Sequence, residues 1–390
     1  MRKHHVVVGR VSVFRSNSKV AVGETSLPCK APWNNIYFNT CGDAAPCWKL
    51  IGHVDKYDKK LNTINNIWKN KEPSNWRHNA PSADSSIHEV WKDHGFQKYR
   101  DALSNNEFLG RCQECKNDMD HDVWSLATAY DRFPRNENGY PSLLEIEVSN
   151  KCNLECIMCE PNLSSGLAKK AGLPLLKPYD DEFRQELKEY IPHLTEIRFN
   201  GGEPFLHKMV YDICDDIVEL NPNLTVGIAT NGSVMNKNVE RLLANNNVKP
   251  QVSIDSLIPE RYSEIRVNGD LPKLLDNFEK FKEYARKNNT RVVVVVNPMR
   301  NNWEEMPSFL DFVREHDAGL WYNSILYPEH LTIKGLPSKE LEHIYKTLSY
   351  ETSLRIDPDS KWSKKDHNFH TLENLVENKI KTWWEESLDV

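Results

Sequence analysis

From Leu144 to Ile325 the chain alternates short apolar runs with longer stretches whose apolar residues recur every three or four positions. This alternation limits the possible folds more than any single motif does. The strand candidates are Leu144 to Val148, Glu196 to Asn200, Thr225 to Thr230, Gln251 to Asp255, Arg291 to Asn297 and Leu320 to Ile325. The helix candidates between them are Asp180 to Tyr190, Met209 to Leu220, Val239 to Ala244, Leu271 to Arg286 and Glu304 to Arg314. Such alternation calls for parallel strands, because a parallel neighbour is reached only through a long crossover. The β-branched run Val292 to Val296 reads as a strand covered on both faces. Ligand sites in such sheets lie beyond the carboxyl ends of the strands. The residues that follow each run are therefore the candidates for chemistry.

After the first run comes EIEVSNKCNLECIMCEP, Glu145 to Pro161, with Cys152, Cys156 and Cys159 in a C-x3-C-x2-C spacing. Three thiolates in a short loop can hold one metal centre and leave a coordination position open. A zinc knuckle or buried thiols is the alternative for this loop alone. After the second run stand Gly201, Gly202, Glu203 and Pro204, where paired glycines permit close approach to a ligand and a carboxylate suits an ammonium. A glycine turn whose glutamate caps the next helix fits the same letters. The third run ends in Thr230 and Asn231, the fourth carries Ser253 and Asp255, and Arg266 follows in EIRVNG. Hydroxyls and a guanidinium suit ribose and carboxylate groups, while a turn, a helix cap and a surface charge are the plainer readings. Asn297 to Trp303 is polar, and Trp321, Tyr322 and Asn323 on the last strand either line a cavity or belong to the core.

Taken in order, these motifs resemble the radical S-adenosylmethionine (radical SAM) enzymes. The resemblance implies an α/β fold, a partial (β/α)6 TIM-like barrel. It implies a [4Fe-4S] cluster on Cys152, Cys156 and Cys159 whose free iron chelates SAM. Gly201, Gly202, Glu203 and Pro204 would then meet the SAM amino group, Thr230, Asn231, Ser253 and Asp255 its ribose or carboxylate, and Arg266 its carboxylate. Met158 stands where relatives usually carry an aromatic residue, and its thioether can cover an adenine face.

Six further cysteines lie outside this loop: Cys29, Cys41, Cys47, Cys112, Cys115 and Cys214. Asn34 to Phe38 reads as a strand, and Gly42 supplies the positive-φ turn that aims Cys47 back toward Cys29. Ile87 to Leu103 reads as one helix carrying Trp91 and Arg100, leading to the Cys112, Cys115 knuckle. A short element near Trp68 interrupts a polar loop. This set resembles the SPASM and twitch extensions of radical SAM enzymes, here placed before the barrel. The resemblance implies one auxiliary [4Fe-4S] cluster on Cys29, Cys47, Cys112 and Cys115, with a four-cysteine zinc ribbon as the alternative. Cys41 reads as a free thiol or as a substitute for one of those four, and Cys214 as a core thiol.

The expected organisation is a cysteine-rich module over 1–120, a core barrel over 140–330 and a helical extension over 331–390, with helices at Lys339 to Leu348 and Leu372 to Trp384. The last of these is expected to lie across the barrel or at an interface. The formal charge of −6 provides no basic field and disfavours nucleic acid as the main partner. No run approaches the length of a membrane span, and MRKHHVVVGRVSVF makes a poor signal peptide, so a cytoplasmic enzyme is expected. The family implies reductive cleavage of SAM to a 5'-deoxyadenosyl radical that abstracts hydrogen from a substrate. Its expected partners are a flavodoxin- or ferredoxin-type electron donor and a substrate peptide, protein side chain or small metabolite. The alternatives are a zinc-stabilised binding protein without turnover and a radical SAM enzyme acting on nucleic acid.

Overall fold

The computed structural model describes residues 27–51, 86–120, 126–325, 327–356 and 366–388. The element expected near Trp68 lies outside them. Eight strands form one open sheet in the spatial order β2-β1-β3-β4-β5-β6-β7-β8. They are β1 (Asn35–Phe38), β2 (Ala44–Ala45), β3 (Leu143–Glu147), β4 (Glu196–Asn200), β5 (Thr225–Thr230), β6 (Asn247–Ser253), β7 (Val293–Val296) and β8 (Gly319–Tyr322). Neighbours from β3 to β8 are all parallel, and helices intervene between them along the chain. This is the α/β architecture that the alternation predicts.

Three sequence expectations change. The fourth strand runs over Asn247–Ser253, not Gln251 to Asp255. Its Asn, Lys and Pro are poor strand formers, and pairing with β5 along its length overrides them. Ile87 to Leu103 is two helices, Ile87–Lys92 and His94–Ser104, broken at Asp93, whose extended backbone and side-chain bond to Gly95 N start the second. The valine run is not covered on both faces: Val294 and Val296 are buried while Val293 and Val295 are half-buried.

That alternation runs through the whole sheet. Ile146, Phe199, Ile228, Val252 and Val294 point toward the helices and form the main core. By register, the opposite face carries Tyr37, Glu145 and Arg198 in one row, then Glu147 beside Asn200, Gln251 beside Val293, and Ser253 beside Val295 and Trp321. It is a polar concave wall. Arg198 bridges Glu145 at 3.1 Å and Glu196 at 2.6 Å, while Tyr130 and Asn35 donate to Glu145.

The N-terminal segment joins this sheet directly. β1 pairs in parallel with β3, and β2 turns back antiparallel through Gly42 at φ 85°. At the far edge, Asn368 accepts from Leu320 N and donates to Ala318 O, so its amide takes the place of a further strand. The C-terminal helices therefore cap β8. Among the described residues, no helix is long and apolar enough to cross a membrane.

Candidate active site

The cysteine loop leaves β3 at the carboxyl edge and is held there by backbone bonds. Glu155 N donates to Val267 O at 3.0 Å and Ile157 N to Ile265 O at 2.9 Å, so the segment around Arg266 lies directly against the loop. The Ser165 hydroxyl donates to Cys152 O, and Leu154 N donates to the Cys152 sulfur at 3.4 Å. Burial pushes the Cys152 thiol up to about 11 and the Cys159 thiol up to about 12, each raised further by neighbouring cysteines of the trio. Burial also raises Cys156, and the Arg266 cation opposes that rise.

The glycine turn after β4 presses on the same loop. Gly201 and Gly202 have φ of 71° and 55°. A Cβ on Gly202 would lie 2.5 Å from Lys151 O and 2.7 Å from Ser149 O. Glu203 N donates to Lys151 O at 2.8 Å, which locks turn and loop together. The Glu203 side chain is fully buried and accepts from Thr230 Oγ1 at 2.8 Å, Asn231 N at 2.7 Å and Phe205 N at 3.2 Å. It caps the short turn that Pro204 opens and ties β4 to β5. Burial raises its carboxyl to about 7, against the pull of those three donors. Asn231 reaches the loop as well, with Nδ2 3.8 Å from the Cys152 sulfur and 3.0 Å from Asn153 Oδ1.

Past β6, Asp255 and Arg266 form a buried ion pair at 2.6 Å. Asn297 donates its backbone N and Nδ2 to Asp255 Oδ1, and Arg266 Nη1 stands 3.8 Å from the Cys156 sulfur. Arg266 Nε is buried without a hydrogen-bond partner. Ser253 closes β6 on the concave face, half-buried. Met158 packs with Ile265, Met299 and Ile325.

Cys29, Cys47, Cys112 and Cys115 line one cavity with Lys49 and Tyr130. Cys112 and Cys115 occupy the first turn of the helix Cys112–Asp120 rather than a free knuckle. Burial lifts Cys29 to about 12 and Cys112 to about 11, with contributions from neighbouring thiols, and holds Cys47 well above its ordinary value. Cys41 packs against Leu176 away from that cavity, and Cys214 is a core thiol. Among the described residues, no three His, Cys, Asp or Glu stand close enough to share a single metal ion.

Of the concave wall, Ser253 and Trp321 are candidates in the sequence, but the wall's residues from Tyr37 to Gln251 are not. Tyr37 donates to Glu147 at 2.7 Å beneath the glycine turn, with Asn200 opposite Glu147 across the strands. Period-two alternation in LLEIE and EIRFN was the available signal. Lys379 was also missed: it donates to Ser324 just past β8, and burial lowers it to about 8 while Asp118 of the cysteine helix opposes the change.

Residues 146–313 match the radical SAM superfamily. The chain carries a radical SAM domain. Similar curated proteins are GTP 3',8-cyclases: that of Limosilactobacillus fermentum is 27% identical over 197 residues, 49% of this chain and 55% of the relative. That of Alkaliphilus metalliredigens is 30% identical over 150 residues, 38% of this chain and 44% of the relative. The chain thus spans about half the length of these relatives. Among solved structures, SAM-bound SuiB of Streptococcus suis superposes with a TM-score of 0.41 at 14% identity, covering 67% of this chain and 53% of that one. AdoMet-bound anSMEcpe gives 0.40 at 19% identity, covering 55% and 62%. The thiol trio, the glycine turn and the Asp255–Arg266 pair all lie within the matched segment and meet at the carboxyl edge of its strands.

Proposed function

We propose that this protein binds a [4Fe-4S] cluster through Cys152, Cys156 and Cys159, splits SAM reductively, and uses the resulting radical to oxidise or form a bond in a substrate held over the concave face. The observation that carries this reading is the buried Arg266, set between Asp255 and Cys156 with its Nε lacking a partner. A buried cationic donor left open beside free thiols suits an anionic ligand group. Held by Cys152, Cys156 and Cys159, a reduced cluster would supply the one electron for cleaving the SAM carbon–sulfur bond to methionine and a 5'-deoxyadenosyl radical.

The protein's own residues do the positioning. Gly201 and Gly202 expose backbone at the loop, and Pro204 and Glu203 fix that turn. Thr230 and Asn231 hold the turn to β5, and Ser253, Asp255 and Arg266 border the far side. Met158 presents its thioether from an apolar patch. Cys29, Cys47, Cys112 and Cys115 are assigned a second, auxiliary [4Fe-4S] cluster, since four thiolates complete a cube's coordination and suit it to electron transfer. A flavodoxin- or ferredoxin-type protein would supply the electron. The similarity to GTP 3',8-cyclases spans about half of those relatives and leaves the substrate open, and Tyr37, Glu147, Asn200, Gln251 and Trp321 on the concave wall are assigned the selection of a peptide, protein side chain or small metabolite.

The test is anaerobic reconstitution, iron and sulfide analysis, and assay for 5'-deoxyadenosine after reduction with SAM. The wild-type chain should form it, and a chain with Cys152, Cys156 and Cys159 changed to Ala should form none while keeping its circular dichroism spectrum. Retained SAM cleavage in that variant, or zinc in place of iron, defeats the reading.

A further inference from the structure

Arg266 has a role that its place in the SAM site does not cover. Its guanidinium faces two groups at once, Nη2 on Asp255 Oδ2 at 2.6 Å and Nη1 toward the Cys156 sulfur at 3.8 Å. The arginine side chain is 8% exposed and the aspartate 0%, so little water screens either charge. Both partners are fixed. The arginine follows a helix end whose backbone is bonded to the cysteine loop, through Ile157 N to Ile265 O and Glu155 N to Val267 O. The aspartate is held by both Asn297 donors, and Asn302 Nδ2 donates to Asp255 O at 2.7 Å. The trio is not treated alike: Cys152 receives Leu154 N and Asn231 Nδ2, both neutral donors, while Arg266 stands against Cys156 and acts on Cys159 only by its charge at longer range.

We propose that the Asp255–Arg266 pair is a positioning device that sets the reduction potential of the iron-sulfur centre through Cys156, with Arg266 raising it and Asp255 partly offsetting Arg266. The inference rests on the radical SAM reading of the trio. A cluster gains one negative charge when it takes up an electron, so a nearby cation, or a charged donor to a ligand sulfur, favours the reduced form and raises the potential. A carboxylate against that cation acts in the opposite sense. The two residues should therefore act with opposite sign, a pattern that simple loss of packing does not produce.

The experiment is a redox titration followed by electron paramagnetic resonance on reconstituted protein without SAM, the central centre being identified as the one whose signal changes when SAM is added. Arg266→Gln should shift its midpoint to more negative values, and Asp255→Asn to less negative ones. Arg266→Lys, which keeps the charge but not the two-pronged geometry, should recover part of the shift. Iron and sulfide content is measured in each variant, and SAM affinity separately. Unchanged midpoints in iron-loaded variants would overturn the proposal, as would shifts of the same sign for Arg266→Gln and Asp255→Asn. Should Arg266→Gln fail to load iron, the direction of the Asp255→Asn and Arg266→Lys shifts still decides. Failure of the wild-type chain to load iron at all would instead strike the underlying functional reading.

Discussion

Gly202→Ala is the smallest change that should separate SAM binding from the rest of the fold. The added methyl would sit 2.5 Å from Lys151 O and 2.7 Å from Ser149 O, both backbone atoms of the strand-to-cysteine connection. To reach ordinary contact those carbonyls must retreat by roughly 0.5 to 0.9 Å, which a close-packed loop resists. The bond from Glu203 N to Lys151 O lies in the path of that movement. At φ 55° an L-residue adds about 1 to 2 kcal/mol of its own. With the loss of one hydrogen bond, about 0.5 to 1.5 kcal/mol, the total comes to about 1.5 to 3.5 kcal/mol. Spent on displacing the turn, this weakens SAM binding by roughly 10-fold to several-hundred-fold. Gly139→Ala is the control, since Gly139 has φ 81° but nothing within 4 Å of the added Cβ. It carries the backbone penalty without the collision. Isothermal titration of reconstituted protein with SAM should show a large loss for Gly202→Ala and almost none for Gly139→Ala. Equal affinities for both variants would refute the argument that this glycine is required for close approach.

Three further outcomes follow from the geometry. The Glu203 carboxyl rises from 4.5 to about 7 on folding, so its stabilising contribution is complete below pH 4.5 and is lost as pH climbs through 7. Glu203→Gln removes that dependence, so the stability gap to wild type in urea unfolding should shrink by about 3 kcal/mol between pH 5 and pH 8; a gap that does not vary with pH contradicts it. Arg198→Met leaves Glu145 without a cation while Glu196 keeps Arg132 at 2.9 Å, and should cost about 3 kcal/mol in unfolding midpoint measurements, with a loss under about 1 kcal/mol counting against the network. Changing Cys29, Cys47, Cys112 and Cys115 to Ala should lower iron and sulfide per chain by about half while 5'-deoxyadenosine still forms; unaltered iron content removes the auxiliary cluster.

Where the sequence was informative, local letters and tertiary demands agreed. LLEIE, EIRFN and TVGIAT each end at a motif, and each is a strand within a residue of the expected bounds. β6 was displaced because Asn247, Lys249 and Pro250 carry no strand signal, and only β5 alongside them makes that stretch extended. Glu203 shows a different limit. A glutamate after two glycines looked like a ligand to an ammonium, and burial by Thr230 and Asn231 from the next strand is invisible in one sequence. Its bond from Asn231 N, a residue whose side chain stands beside Cys152, still places it next to the cysteine loop. The rest of the concave wall is carried by alternate residues within the strands, and a period of two marks a face without telling what that face meets.

The placement of the four outer thiols follows from one pairing that the sequence did not advertise. Asn35–Phe38 reads from its letters as half of a hairpin, and it is, but its other edge accepts β3 in parallel register with Tyr37 beside Glu145. Cys29 lies just before this strand and Cys47 just after its partner, so both are carried to the edge of the sheet that bears the radical SAM loop. Tyr130 then joins the two regions, lining the four-thiol cavity and donating to Glu145 on the concave wall. Lys49, at the same cavity, stands 3.7 Å from Asp118, whose charge reaches Lys379 beside the end of β8. A cysteine-rich segment placed before the domain in sequence is thus built into the domain's first edge, and its charges reach the tail that caps the last. Order along the chain therefore matters less than which strand edge was free: β3 had an open edge, and β1 filled it.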